Sequence, residues 1–252
     1  MKEFFGFGGY SRPAEGFLSW QHLSFVTLLM AVMTALAIWL GKKYRHSDKK
    51  NQVLIAAAFL IDGFELLKII VLCLRSGSFS PVLYELPLFL CSIQLITIPL
   101  AAFAKGRIKE AALDFVSIFG LLGAVLGTYG AGNNYGTYPV LSMDNVVSGI
   151  THSISGFCAL YIFIAGLASL KKKNIPITLG ILFSFCIAAF AANEALDYNY
   201  MFLRRGDGTP YDIFSNLLGG HPVFYPLTVV GLFVIYIGIF YYIRFLLHKK
   251  NT

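Results

Sequence analysis

Seven apolar runs, each of roughly twenty residues, recur along this 252-residue chain, and no other feature restricts its fold as strongly. A run of that length crosses the hydrocarbon core of a bilayer as a helix, because a helix satisfies its own backbone polar groups there. The composition agrees: 57% of the residues are apolar and only 13% are charged, whereas charged residues make up about a quarter of soluble domains. We therefore expect an all-α, polytopic membrane helix bundle that forms one domain over residues 1–252.

The predicted spans cover about residues 22–40, 52–74, 86–104, 111–129, 145–170, 175–196 and 223–247. Residues 1–20 carry aromatic side chains among glycines, which is typical of a segment at the membrane interface. They lack the apolar core of a cleavable signal. Residues 198–221 form the longest connection on the side opposite the basic loops, and long ordered loops are usually functional.

Clustered Lys and Arg residues follow the first, third, fifth and seventh spans. Because successive spans alternate in direction, these four positions lie on one side of the membrane, and the positive-inside rule makes that side cytoplasmic. The N-terminus is then outside and the C-terminus cytoplasmic, in a multi-pass protein of the cell membrane. The net charge of +7 is explained by this topology and does not indicate a nucleic acid partner.

The four cysteines, Cys73, Cys91, Cys158 and Cys186, all fall in apolar segments. They form no CxxC pair and no His/Cys spacing typical of a metal site, so we expect neither a disulfide framework nor a metal ion. No nucleotide-binding loop occurs either. The sequence therefore predicts no cofactor.

Cys91 is the cysteine with the most suggestive surroundings, because it shares a helical face with Gln94. At the rise of an α-helix it lies ~10 Å below the start of its predicted span, and His152 lies ~12 Å below Asp144 in another span. A thiol becomes a strong nucleophile when a base takes its proton or a cation favours thiolate. His152 could be that base. The alternatives are an inert buried thiol and a histidine that only hydrogen-bonds a neighbouring helix.

Three ionisable residues of the second span, Asp62, Glu65 and Lys68, recur at i, i+3 and i+6 and share one face. Charged groups inside a span are costly and by default indicate a functional site. An internal Glu65–Lys68 ion pair that only holds helices together is an equal alternative. Lys68 or Arg75 could also favour a thiolate at Cys91.

Other polar residues of the outer half complete the predicted site. Gln94, Asn193 and Asn199 are candidate donors to an oxyanion, and Arg204 could pair with a phosphate. The predicted binding residues are Gln94, Lys68, Glu65, Asn193, Asn199, Tyr200, Arg204, His221, Tyr225 and His22. Glycines 120, 123 and 127 of the fourth span predict close helix packing only.

Several motifs carry a family resemblance across nearly the whole chain. They are Trp20-Gln-His-Leu23, Glu85-Leu-Pro-Leu-Phe-Leu-Cys91, His152, Asn199-Tyr-Met-Phe-Leu203 followed by Pro210, and Leu218-Gly-Gly-His-Pro-Val-Phe-Tyr225. With them the sequence resembles the bacterial YwaF family of integral membrane proteins, which is related to the eukaryotic transmembrane protein 164.

The eukaryotic relative is regarded as a phospholipid acyltransferase that uses a Cys and a His. The resemblance implies that Cys91 is the nucleophile and His152 the base. The family usually reads Leu-Pro-Leu-His-Leu-Cys in this motif, and Phe89 stands here at the histidine position. The eukaryotic cysteine directly precedes that position and would map to Leu88.

These observations predict a lipid-modifying enzyme, an acyltransferase or acyl hydrolase that acts on an outer-leaflet membrane lipid through Cys91 and His152. The main alternative is a non-catalytic transporter or binding protein for a small polar or lipidic ligand in the same outward-facing cavity. A purely structural or partner-binding role is the third. The oligomeric state and the acyl donor are left open.

Overall fold

The computed structural model describes residues 2–249, and within them the chain is helical without any strand. Ten α-helices follow one another: α1 Trp20–Tyr44, α2 Lys50–Ser76, α3 Pro81–Tyr84, α4 Gln94–Phe103, α5 Gly106–Leu126, α6 Gly132–Thr137, α7 Met143–Ile164, α8 Ile175–Leu196, α9 Asp212–Leu217 and α10 Phe224–Lys249. Short 3₁₀ turns at Lys172–Asn174 and Tyr200–Phe202 complete the secondary structure. The all-α prediction is confirmed.

Each of the seven predicted spans overlaps one of these helices. By length and composition, four stretches are able to cross a membrane: α1, α7, Lys172–Leu196 and Phe224–Leu247. Helix α2 has 27 residues but carries several charges, and α4 has only 10 residues. A membrane protein is therefore supported, whereas the count of seven spans and the orientation of the termini stay predictions.

The third predicted span differs most from the structure, because residues 86–93 are not helical and α4 begins only at Gln94. Pro87 lacks a backbone N–H and disfavours helical geometry at Leu86. Ser92 adds to the interruption: its Oγ accepts from Phe89 N at 3.0 Å and donates to Phe89 O at 3.1 Å. A side chain that bonds nearby backbone in this way competes with the helix.

Helix α5 lies at the centre of the bundle, and every residue from 111 to 120 is buried. On one side it packs with α8 and α10 around Phe115 and Phe119. On the other side it packs with α2, α4 and α7 around Ala112 and Val116. Helix α5 is thus the wall that two apolar clusters share.

The bundle exposes large apolar side chains on its periphery, among them Leu28 on α1, Phe59 on α2, Ile187 on α8 and Ile235 on α10. Extended apolar surfaces of this kind mark contact with a membrane or a partner. We use the term outer end for the end of the bundle that carries Arg75 and Asp144, which the sequence predicts to face outward.

The N-terminal residues fold over the outer end. Tyr10 donates its hydroxyl hydrogen to Asp144, the first-turn carboxylate of α7. Arg75 at the end of α2 binds the same carboxylate at 2.8 Å, and Val140 N donates to Glu15 at 2.7 Å. Burial, followed by the hydrogen bond to Asp144, raises the pKa of Tyr10 to about 12. The segment before α1 is therefore docked on α2 and α7.

Candidate functional site

The irregular segment 86–93 positions Cys91 immediately before α4. The turn is closed by Ile93 N, which donates to Phe89 O at 3.0 Å, and by Gln94 N, which donates to Cys91 O at 3.3 Å. Cys91 therefore lies in a turn just before the N-terminal end of α4, where the helix dipole favours negative charge.

Two glycines, Gly123 in α5 and Gly127 directly after it, leave the space that the side chains of Cys91 and His152 occupy. A Cβ at Gly123 would lie 3.3 Å from the Cys91 Cβ. One turn further along the same helix, a Cβ at Gly127 would lie 1.9 Å from His152 Cδ2 and 2.1 Å from Nε2. The sequence predicted only close packing here, but these glycines also form the floor beneath both side chains.

The orientation of the His152 ring is fixed by the contacts of its Nδ1 atom. Nδ1 lies 2.7 Å from the carbonyl oxygen of Ser148, one turn earlier on α7, and 3.4 Å from the Ser148 hydroxyl. Because a carbonyl oxygen only accepts, Nδ1 carries the hydrogen and Nε2 keeps its lone pair. The nitrogen over Gly127 is therefore the one that can take a proton.

The Cys91 thiol and the His152 imidazole are direct neighbours at this floor. Nucleophile–base pairs often reach hydrogen-bond geometry only when substrate binds. Both residues lie deep between the helices, yet each keeps part of its surface accessible. A thiol, a base and a group that orients the base are thus assembled in one crevice.

Gln94 adds an unpaired donor next to this pair. The residue has no exposed surface, and its Oε1 accepts from Thr97 Oγ1 at 3.1 Å. Its Nε2 has no hydrogen-bond partner among residues 2–249. A buried polar group without a partner is uncommon and calls for an explanation such as a catalytic role.

Lys68 forms ion pairs with two carboxylates and is not a free cation beside the Cys91 thiol. Its Nζ lies 2.6 Å from Glu65 and 2.8 Å from Glu85. The predicted Glu65–Lys68 pair is therefore present, and Glu85 connects it to the chain that leads to Cys91. Arg75 is likewise occupied by Asp144. Both cations are thus neutralised by carboxylates and are poor candidates for stabilising a thiolate.

The four predicted binding residues around the loop after α8 hold that loop together. Asn193 Nδ2 donates to Tyr200 O at 3.0 Å, and Asn199 Nδ2 donates to Asp207 at 2.8 Å. Arg204 pairs with Asp197 at 2.6 Å, and Tyr200 donates its hydroxyl hydrogen to Leu83 O. Their binding role stays a prediction, but the amides of both asparagines are already engaged.

The remaining predicted residues have similar structural contacts. His22 is fully buried, with Nε2 3.0 Å from Thr128 O and its ring stacked on Tyr135 at 3.9 Å. His221 Nδ1 accepts from Val223 N at 3.2 Å at the start of α10. Tyr225 is fully buried and donates to Phe202 O at 2.8 Å. The structure does not bring these three into contact with Cys91 or His152.

Tyr211, in the long loop, is a neighbour of Cys91 that the sequence reading did not select. Its ring packs on Phe202 and Phe233 at centroid distances of 5.7 and 6.2 Å. Burial, with a smaller contribution from the Cys91 sulfur, raises the pKa of Tyr211 to about 12. Nothing in the local sequence of Tyr211 signals its proximity to Cys91.

Leu88 and Phe89, which precede Cys91 in the motif, pack against other parts of the protein. Leu88 belongs to the cluster that packs on α8 and α10. Phe89 lies in an aromatic group with Tyr198, Tyr200 and Phe202, with centroid distances from 5.2 to 6.3 Å. In this motif it is therefore Cys91 that shares the Gly123–Gly127 floor with His152.

The sequence profile of the TMEM164 family matches residues 17–241, a range that contains both Cys91 and His152. The chain belongs to the TMEM164 family. No curated protein and no solved structure gives a significant match. Membership of the TMEM164 family agrees with the predicted relation to transmembrane protein 164, whereas the relation to the bacterial YwaF branch stays a prediction.

Proposed function

We propose that this member of the TMEM164 family is a multi-pass enzyme of the cell membrane that transfers or hydrolyses an acyl group of an outer-leaflet lipid. Cys91 is the nucleophile and His152 the general base. The observation that carries the proposal is the His152 imidazole itself. Its Nδ1 is tied to Ser148 O at 2.7 Å, and its Nε2 stands over Gly127 beside the Cys91 thiol.

In the first step His152 Nε2 takes the thiol proton while Cys91 Sγ attacks the carbonyl carbon of the lipid ester. The carbonyl oxygen becomes an oxyanion, which needs donors aimed at it. The backbone N–H groups of Cys91 and Ser92 are the nearest candidate donors in the chain, and Gln94 Nε2, which has no acceptor among the described residues, is a third. When the tetrahedral intermediate collapses, the C–O bond breaks and the leaving alkoxide takes the proton from His152.

The second step returns the thiol. His152 removes a proton from the acceptor, which is a hydroxyl group of a second lipid in acyl transfer or water in hydrolysis. The acceptor oxygen attacks the thioester carbonyl, the C–S bond breaks, and the thiolate recovers the proton from His152. Exclusion of water from the crevice would favour transfer to another lipid over hydrolysis.

The proposed topology supports an outer-leaflet substrate. Seven spans with the N-terminus outside and the C-terminus cytoplasmic place the Cys91–His152 crevice in the outer half of the bilayer. A lipid tail can then enter between helices while its headgroup meets the loop after α8.

Intact mass of the protein from native membranes tests the enzyme directly. We expect a hydroxylamine-labile acyl adduct in wild type that is absent from Cys91→Ala and strongly reduced in His152→Ala. Cys73→Ala is the matched control, because Cys73 is also a partly accessible free thiol but forms no hydrogen bond with a histidine in the described part of the chain, and it should keep the adduct. No adduct in any form, with native lipids unchanged after incubation, would refute the proposal.

A non-catalytic transporter or binding protein is the second candidate, and the cluster Glu65–Lys68–Glu85 favours it. Two carboxylates and one ammonium at 2.6 and 2.8 Å form a partly buried charged group, and such groups often mark transport pathways. Function that persists in Cys91→Ala but is lost in Lys68→Met would support this candidate.

A further inference from the structure

A groove separate from the Cys91–His152 crevice runs along the membrane-facing side of α4. It has a volume of ≈550 Å³ and opens laterally. Its walls are Leu95, Ile96, Pro99, Leu100, Phe103 and Ala104 of α4 and the following residue, together with Asp62 of α2. Ligand sites commonly have such volumes and combine apolar walls with a few polar groups.

Asp62 is the charged group of this groove, and it has no partner. Its side chain is exposed in the protein, and no described residue forms a hydrogen bond or an ion pair with it. Its neighbour Glu65 is paired with Lys68. Asp62 lies about 18 Å along α2 from Lys50 and about 21 Å from Ser76, so it sits near the middle of the helix. An unpaired carboxylate at that depth is costly and points to a missing partner.

Pro99 leaves a second acceptor on the same wall. Within α4 the carbonyl of Leu95 would normally accept from the backbone N–H of residue 99, but proline has none. Leu95 and Pro99 both line the groove. The groove therefore offers a carboxylate and a carbonyl that lacks its α-helical donor, and its lining side chains supply no donor.

We propose that this groove binds a lipophilic primary amine, whose ammonium group donates hydrogen bonds to Asp62 and to the Leu95 carbonyl while its alkyl chain lies against the apolar wall. The ammonium charge compensates the carboxylate, and its three N–H donors can serve both acceptors. A fatty acid would bring a second negative charge. A divalent metal ion would find only two protein oxygens, too few for calcium. The site does not depend on the proposed chemistry at Cys91.

Equilibrium binding to the full chain in nanodiscs, with three probes of equal chain length, tests the proposal. Dodecylamine supplies charge and N–H donors, dodecyltrimethylammonium supplies charge alone, and dodecanol supplies neither charge nor N–H. We expect wild type to bind dodecylamine at least about tenfold more tightly than either of the others, because only the primary amine satisfies both acceptors.

Two variants separate the two acceptors. Asp62→Asn should remove the preference for dodecylamine, with a loss of at least about tenfold. Pro99→Ala, which returns a backbone N–H to the Leu95 carbonyl, should weaken dodecylamine by a smaller factor and leave the quaternary ammonium unaffected. Ile187→Ala, an exposed apolar position on α8, is the control and should change nothing.

Equal binding of all three probes by wild type, or of dodecanoate as tightly as dodecylamine, would overturn the proposal and indicate an acyl-chain groove. Unchanged binding in Asp62→Asn would overturn it as well. A change of oligomeric mass in Asp62→Asn without any effect on the amine would instead assign this face to a second copy of the chain.

Discussion

The two ends of helix α5 hold two buried polar clusters that differ in whether their groups are satisfied. Near its start, Asp114 is fully buried and accepts from five donors: Ser169 N, Ser169 Oγ, Leu170 N, Asn174 Nδ2 and Tyr241 OH. Near its end, Gly123 and Gly127 support Cys91 and His152, and the neighbouring Gln94 keeps an unpaired donor.

This difference distinguishes a polar cluster that stabilises the fold from one that is able to react. A buried carboxylate with every lone pair occupied holds the 165–174 connection and α10 to α5, and it has no capacity left for a ligand. The Cys91 end has spare donors, a free imidazole nitrogen and partial access. Three experiments test whether one end supplies stability and the other reactivity, and a fourth tests the docking of the N-terminal segment.

The largest effect is expected at Asp114, whose carboxylate has all its hydrogen bonds made. Asp114→Ala leaves five donors without their acceptor and should lower the free energy of unfolding by about 3–5 kcal/mol. Unfolding in detergent, followed by circular dichroism, measures the loss. Asp48→Asn, on an exposed carboxylate between α1 and α2, is the control and should stay within about 0.5 kcal/mol of wild type. A loss below about 1 kcal/mol for Asp114→Ala would remove the distinction between the two ends.

Gly127→Ala should have the next largest effect, and on reactivity rather than on stability alone. The new Cβ would overlap the imidazole of His152 at 1.9 Å, so the ring must leave its place beside Cys91. Acylation of Cys91 should slow by about 1,000-fold through loss of the positioned base. Intact mass against time measures this rate.

Gly63→Ala serves as the control for Gly127→Ala, because no atom lies within 4 Å of a Cβ at that α2 position. It should react as wild type. If Gly127→Ala retained the wild-type rate, His152 would not act from its observed position.

Gln94→Leu should lower the acylation rate without lowering the free energy of unfolding. Removing one oxyanion donor should slow acylation by about 100-fold. The free energy of unfolding should stay constant or rise, because an unpartnered buried amide is replaced by an apolar side chain of similar size. Thr97→Val, which removes the hydroxyl bonded to Gln94 Oε1, should keep the acylation rate. A wild-type rate in Gln94→Leu would leave the backbone N–H groups as the sole donors.

The smallest effect is expected in the N-terminal segment, residues 2–19, which docks on the outer end of the bundle. Tyr10→Phe removes the hydrogen bond to Asp144 and should weaken docking of residues 2–19 by about 1 kcal/mol at pH 7. Because the pKa of Tyr10 is raised to about 12 in the folded protein, the docked state binds the phenol proton more tightly than the free chain, whose value is about 10. The contribution is therefore complete below pH 10 and is lost as the pH rises through 12.

Hydrogen exchange of residues 2–19 between pH 7 and pH 11 measures this docking. Wild type should stay protected over most of this range, and Tyr10→Phe should exchange faster throughout. Equal protection in both proteins would mean that other contacts, such as that of Glu15 with Val140 N, hold residues 2–19 without the phenol.

Helix type and position could be read from the sequence because each depends on local pattern. Apolar runs near Phe224 and Trp20 predicted helices that the structure contains within a few residues. The interruption before Gln94 was missed, because a long apolar run hid the combined effect of Pro87 and Ser92. Asp114 was also missed, since its partners lie at least 55 residues away in the chain.

The amino-acid sequence by itself determined an apolar helical chain with polar groups at particular positions along each helix, because hydrophobicity and spacing are properties of short segments. It could not determine the rotation of each helix about its axis, which depends on packing against neighbours. Only the tertiary structure decided that His152 faces Cys91 across two glycines, that Asn193 and Asn199 hold a loop, and that Asp62 faces a groove rather than an ion pair.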